Sequence, residues 1–167
     1  MAFLGYRNLK RTFAIVIAVS AGAVLGAGVV GSTAKADDDA ARFTYVRLYC
    51  TPDNESHFAD VTAELTKENF APPASPIAIG GNQQVSRAFL AGFEAHWGAA
   101  DLKNHLTHPT PAVQVFSVLD GVFSITATDG ETRELHAGDF VRLEDVAPCR
   151  GHITVVGDKP GYLLFAR

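Results

Sequence analysis

Short apolar segments separated by turn residues fill the second half of the chain. Segments of five to nine residues are divided by Asp120-Gly121, Asp129-Gly130, Gly138-Asp139, Gly157-Asp158 and Pro160-Gly161. Turns at this close spacing, between runs rich in β-branched residues, are typical of an all-β sandwich or barrel. Val113 to Leu119 is apolar at both alternating sets of positions, which predicts a strand covered on both faces.

The pattern is less regular in the first half. Phe43 to Cys50 is rich in aromatic and β-branched residues and predicts a strand. His57 to Leu65 fits either a strand or a helix, because its apolar residues satisfy both an alternating and a helical spacing.

The middle of the chain contains helix-breaking residues. Prolines at 72, 73 and 76 exclude a regular helix and predict a connection along the surface or a sheet edge. Val85 to Glu94 resumes strand character, and Trp97 to Thr107 predicts a loop because it lacks a clear period. No helix of usual length is predicted.

The N-terminus has the layout of a secretory signal peptide. Arg7, Lys10 and Arg11 precede an uncharged apolar run of 19 residues from Phe13 to Gly31, and Ala34-Lys35-Ala36 supplies a cleavage site. The alternative is an uncleaved membrane anchor, since a spanning helix needs about 20 residues. The Gly- and Ala-rich composition and the cleavage site favour export to the periplasm, cell wall or medium.

Composition indicates one globular domain after this segment. The 167 residues are 47% hydrophobic and 19% charged, and the expected division is a signal peptide at 1–36, a flexible lead at 37–42 and a β domain at 43–167. Cleavage would remove four of the 14 basic residues and none of the 18 acidic ones, taking the formal charge from −4 to −8. Such an acidic surface argues against nucleic acid or anionic lipid as a partner.

Two cysteines, Cys50 and Cys149, lie in the predicted mature chain. Export favours a disulfide between them, whereas two buried free thiols are the alternative because cysteine behaves as a small hydrophobic residue. The sequence leaves both open.

Two motifs in the second half of the chain resemble those of the cupins. The first cupin motif has the form G-x5-H-x-H-x3-4-E-x6-G, and Gln114 followed by six residues and Gly121 matches its second half, with glutamine in place of glutamate. The second motif is matched in part by Gly138-x5-Glu144 and by Gly151-His152. The resemblance implies a double-stranded β-helix, or jelly-roll barrel.

A tighter resemblance is to a subgroup of small single-domain cupins without a settled activity. The shared phrases are Arg47-Leu48-Tyr49, Ser56 to Asp60, His108 to Gln114, Asp129 to Arg133, Gly138-Asp139, Glu144-Asp145 and Gly151-His152. They span nearly the whole predicted mature chain. The resemblance implies the fold but no reaction, because a fold does not fix a function.

The cupin resemblance also implies a metal site. His108 corresponds to a histidine of the first motif, Gln114 to its glutamate and His152 to the histidine of the second motif. His105 is a further candidate, although its odd offset from His108 points to the opposite face of a strand. Such a site would take iron, manganese, zinc, nickel or copper. The alternative is a metal-free barrel in which His108 and Gln114 satisfy each other or nearby backbone.

The remaining polar candidates are expected to be structural or exposed. We expect a structural hydrogen bond from His57, an exposed loop position for His96 and a solvated His136. Arg87, Arg142, Glu144 and Asp145 are further candidates for the site, with exposed charge as the default for each. The motifs of serine hydrolases, nucleotide-binding enzymes, thiol oxidoreductases and zincins are absent from the sequence.

These observations predict an exported cupin that binds a small molecule in the barrel mouth. One form of this hypothesis is a divalent-metal enzyme of isomerase, lyase or dioxygenase type. The alternative is a metal-free binding or sensing module of the cell envelope, and a third is a structural domain that has lost its ligand. The resemblance also allows a homodimer.

Overall fold

The computed structural model describes residues 41–81 and 84–167. The predicted signal peptide and residues 37–40 of the predicted lead lie outside these ranges. Within them, the order is β1 (Arg42–Cys50), β2 (Ser56–Glu64), β3 (Thr66–Glu68), β4 (Ile77–Ile79), β5 (Ala88–Phe93), α1 (Ala99–Lys103), β6 (Gln114–Asp120), β7 (Phe123–Ala127), β8 (Thr132–Leu135), β9 (Phe140–Leu143), β10 (His152–Val156) and β11 (Gly161–Ala166).

The described chain is mostly β-strand, as its hydrophobic pattern predicts. The ambiguous segment after His57 belongs to strand β2, where it pairs with β1 along nine residues. The short helix α1 lies within the segment predicted to be a loop. Five residues are too few to produce a recognisable helical period, which explains the difference. Among the described residues no helix is long and apolar enough to cross a membrane.

The strands form three sheets. The largest has the order β2-β1-β9-β6-β11-β5, the second has the order β10-β7-β8, and β3 and β4 form a two-stranded ribbon. Most neighbours are antiparallel, but β1 and β9 run parallel, with Val46 opposite Val141. The first strand of the domain therefore lies beside a strand almost a hundred residues later in the chain.

The core lies between the six-stranded and three-stranded sheets. Leu48 and Phe116 enter it from the larger sheet and Phe123 from the smaller one, each at most 2% exposed. On β6 the residues from Gln114 to Phe116 are all buried, as expected for a strand covered on both faces, but Leu119 is 47% exposed. The cover on the outer face therefore ends part-way along β6.

A disulfide joins Cys50 at the end of β1 to Cys149 in the loop before β10. The two Cα atoms are 5.9 Å apart across a sequence separation of 99 residues. The structure therefore contains the bridge rather than two free thiols, and the bridge is consistent with an oxidising, extracytoplasmic compartment.

Candidate functional site

A cavity of about 120 Å³ lies between the two larger sheets. Five aromatic side chains form much of its wall: Phe93, Trp97, Phe116, Phe123 and Phe165. Its polar lining residues are His108, Thr110, Gln114, His152 and Thr154. The site therefore combines an apolar wall with a few polar groups, as is usual for small-molecule sites.

Strand register separates the polar and apolar parts of this cavity. Gln114 begins β6 and His152 begins β10, opposite Leu143 and Ala127 respectively. Two residues further along each strand, β6 presents Phe116 and β10 presents Thr154. Side chains two positions apart face the same side of a strand, so the cavity changes from polar to mainly apolar along its length.

His108 and His152 face each other at the polar end. Each backbone N–H donates to the carbonyl of the other residue at 3.0 Å, and the ring centroids are 4.7 Å apart. His152 is only 3% exposed, whereas His108 is exposed at the rim. The inner side of the His108 ring faces the cavity, and this partial desolvation lowers its pKa, with a further lowering from the neighbouring His152. His108 therefore favours its neutral form.

Gly151 allows this close approach of the two backbones. Its φ is +86°, and a Cβ at this position would lie 2.1 Å from the carbonyl carbon and oxygen of His108. Glycine both adopts the left-handed conformation and leaves room for the bridge between the two histidines.

The His152 ring is held by a buried carboxylate. Oδ2 of Asp145 lies 2.6 Å from Nδ1 of His152, and Asp145 is 0% exposed. Its Oδ1 is buried and has no hydrogen-bond partner among the described residues. Because the carboxylate engages Nδ1, Nε2 of His152 is the ring nitrogen left for a ligand.

A second polar contact positions Gln114. Its side-chain amide Nε2 donates to Oγ1 of Thr110 at 2.9 Å, and the Thr110 N–H donates to the Asp145 carbonyl at 3.2 Å. Gln114 and Thr110 are 7% and 2% exposed. The amide of Gln114 thus donates to the Thr110 side chain, whereas the metal-free alternative paired it with His108 or with nearby backbone.

Three of the four predicted metal-site residues lie together. His108, Gln114 and His152 line the same cavity, but His105 is exposed and is not part of the lining. His105 has a φ of +53°, so it does not lie on a regular strand. The odd offset from His108 counts against His105 only on a regular strand, and this segment is irregular; what separates His105 from the other three residues is that it does not line the cavity.

Asp145 departs from the default of exposed charge, because it is buried against His152. Arg142 and Glu144 depart from it in part, with side chains 29% and 19% exposed. Acidic side chains are rarely buried, and the exception depends on a partner that only the folded chain provides. The signal in the sequence is the Glu144-Asp145 phrase, which resembles one of the cupin subgroup.

The remaining histidines lie outside the cavity. Nδ1 of His57 is 2.7 Å from a carboxylate oxygen of Asp129, which is a structural contact of the expected kind. The side chains of His96 and His136 are 65% and 59% exposed. Over residues 41–81 and 84–167, no group of three or more His, Cys, Asp or Glu side chains is arranged to hold a metal ion.

Comparison with known proteins gives little further information. A solved structure from Salmonella typhimurium LT2, described as that of an ethanolamine utilization protein Q, matches with a TM-score of 0.33 and 12% sequence identity. The match covers 75% of this chain and 95% of that chain. No family model matches the sequence, and no curated protein matches it significantly. This structural similarity is too weak to assign a fold family or a function.

Proposed function

We propose that this protein is an exported cupin-type barrel that binds a small, neutral, mainly apolar molecule in the inner cavity. The observation that carries the proposal is the change from a polar end, with His152 and Gln114, to an aromatic interior beginning at Phe116. A ligand with an apolar body and one hydrogen-bonding group matches both parts. The signal-like N-terminus and the disulfide support export.

The size and charge of the cavity limit the range of ligands that it can bind. Its volume of about 120 Å³ suits a molecule of about one ring, since an apolar cavity of roughly 150 Å³ binds benzene. No lysine or arginine is among the lining residues in the described chain. With no cation to balance a negative group, the cavity favours a neutral ligand.

Trp97 allows a direct test because it is the single tryptophan of the chain and lines the cavity. We expect p-cresol and benzyl alcohol to change its fluorescence saturably. Thr154→Phe should abolish the change by filling the cavity. Thr132→Phe is the control, because Thr132 is exposed on β8. Absence of saturable binding, or equal binding in Thr154→Phe, would disprove the proposal.

A metal-assisted form of this function is the second candidate. The Asp145–His152 contact favours it, because metal-binding histidines usually donate their second ring nitrogen to a carboxylate. Nε2 of His152, the His108 ring and the Gln114 amide oxygen would hold the ion, a donor set of two imidazoles and one amide. A bound divalent metal would supply Lewis acidity or activate oxygen.

Metal content tests this candidate separately from ligand binding. After incubation with iron, manganese or zinc and removal of free metal, we expect one ion per chain, lost in His108→Ala and His152→Ala. His105→Ala is the matched control because His105 lies outside the cavity lining. Equal metal content in all three variants would contradict this assignment.

A further inference from the structure

We propose that a groove on the outer face of the six-stranded sheet is a second binding site, for an amphipathic anion with an apolar body of one or two rings. The groove has a volume of about 470 Å³. It lies where β1 and β9 run side by side, and the β3–β4 ribbon borders it through Ala78 and Ile79. None of its lining residues also lines the inner cavity.

Three aromatic side chains provide an apolar wall. Phe140 on β9 packs edge-on against Phe43 and Tyr45 of β1, with ring centroids 6.0 Å and 5.7 Å apart. Phe43 remains 44% exposed. A flat apolar ligand would remove this aromatic surface from water, which favours binding.

Arg142 is the charged side chain among the lining residues of the groove. Its Nε donates to Oε1 of Glu144, while Nε of Arg47 donates to Oε2 of the same carboxylate at 2.7 Å. Two guanidinium groups thus share one carboxylate, which leaves one net positive charge. Glu144 accepts hydrogen bonds from both Arg142 and Arg47, and two guanidinium groups carry more N–H donors than one carboxylate can satisfy. The remaining donors of Arg142 can bind a carboxylate or sulfonate.

Glu144 remains ionised, so this net charge persists at neutral pH. Burial alone would raise its pKa, but hydrogen bonds from Arg47 and Arg142 outweigh that effect and lower the pKa below its ordinary value of 4.5. This local positive charge beside an aromatic groove favours an anion with an apolar body.

The end of the groove is shaped by Gly80. A Cβ at this position would lie 2.4 Å from the Glu64 carbonyl oxygen and 2.6 Å from Cδ2 of Leu65. Only glycine therefore lets the chain after β4 pass this close to the end of β2. The groove is formed by specific backbone packing rather than by a loosely attached loop.

A matched pair of fluorescent probes tests the site on the folded chain. 8-Anilinonaphthalene-1-sulfonate has the required anionic group, and N-phenyl-1-naphthylamine has the same rings without it. We expect the sulfonate to bind about tenfold more tightly than the neutral amine. Arg142→Met should remove this difference by weakening the sulfonate about tenfold, the scale of one charge-assisted hydrogen bond.

Two controls locate the binding. Arg150→Met removes one positive charge from an exposed ion pair with Glu55 and should change neither probe's affinity. Ala63→Phe should block both probes by filling the groove, in which Ala63 is a lining residue. Thermal unfolding of each variant identifies any that fail to fold, and Arg142→Lys then replaces Arg142→Met, with a smaller loss expected.

Four results would overturn the proposal. The first three are equal affinities for the two probes in the wild-type protein, equal effects of Arg142→Met and Arg150→Met, and loss of sulfonate binding in Thr154→Phe. The third would place the probe in the inner cavity. The fourth is binding of p-cresol without binding of the sulfonate, which would reject this site and leave the proposed function intact.

Discussion

The inner cavity and the outer groove place their charged groups in different surroundings. Asp145 and His152 are almost completely buried between the sheets, whereas the side chains of Arg142 in the groove and Arg47 beside it are 29% and 40% exposed. Buried groups keep a fixed geometry because each lost contact is costly, while exposed charges are screened by water and salt. We therefore expect shape and hydrogen bonding to control the cavity, and charge and ionic strength to control the groove.

Removing the disulfide is expected to give the largest effect. Cys50→Ala with Cys149→Ala should lower the free energy of unfolding by about 4 kcal/mol, since the bridge closes a loop of 99 residues. Cys149 lies three positions before His152. As denaturant is added to the variant, the affinity for p-cresol in the cavity should therefore fall at a lower denaturant concentration than the affinity for the sulfonate in the groove. Denaturant unfolding with and without a reductant measures this. A loss below about 1 kcal/mol would contradict it.

The second largest loss of stability is expected from a methyl group at Gly151, which lies beside the inner cavity and not beside the groove. Gly151→Ala combines left-handed strain with a clash against the His108 backbone and should cost about 3 kcal/mol. Gly138→Ala is the matched control, since its φ is +98° with no atom near the new Cβ, and should cost about 1 to 2 kcal/mol. Thermal unfolding of both variants measures this. Equal losses of stability in Gly151→Ala and Gly138→Ala would show that the backbone pairing of His108 with His152 does not constrain position 151.

Asp145→Asn should affect the cavity alone. Loss of the charged contact to His152 should lower the free energy of unfolding by about 1 to 3 kcal/mol and weaken p-cresol about tenfold. Sulfonate binding in the groove should not change. Asp158→Asn, at a side chain 98% exposed, should alter neither quantity. If Asp145→Asn weakened both ligands equally, the two sites would not be independent.

The smallest effect is expected at Glu144, where pH is the variable. A carboxyl group whose pKa is lowered on folding stabilises the protein above its unfolded value of 4.5 and loses that effect as pH falls through the folded pKa. When the pH is lowered from neutral to about 3, the free energy of unfolding of the wild type should fall by about 1 kcal/mol more than that of Glu144→Gln. Glu144→Gln should also bind the sulfonate more tightly at neutral pH. Parallel pH–stability curves would contradict this.

Two strands could be predicted from their residue types. Phe43 to Cys50 lies in β1 and Gln114 to Leu119 lies in β6, because aromatic and β-branched residues pack well on sheet faces. Val113 was predicted with the second strand, but it lies before β6 and is 45% exposed. The helix α1 could not be predicted, since five residues contain less than two helical turns. Its position after Trp97 depends on packing against β10, through the Val156 N–H bond to the Trp97 carbonyl.

The residues of the candidate sites also differ in how far the sequence predicts them. His108, Gln114 and His152 could be identified as a set because the cupin resemblance places them at motif positions. The burial of Asp145 depends on tertiary contacts that the local sequence does not encode. The groove could not be predicted, because it combines outward-facing residues of β1 and β9 with the ribbon beyond the proline-rich connection.

The parallel pairing of β1 with β9 also constrains how the chain folds. β1 can pair with β2 as soon as both have been synthesised. Its other edge stays unpaired until β9, about a hundred residues later, is available, because Val46 pairs with Val141. Non-local pairing of this kind slows folding, and an open apolar edge can pair with other chains. A chain truncated before Phe140 should therefore expose this edge of β1 and aggregate more readily than the full chain.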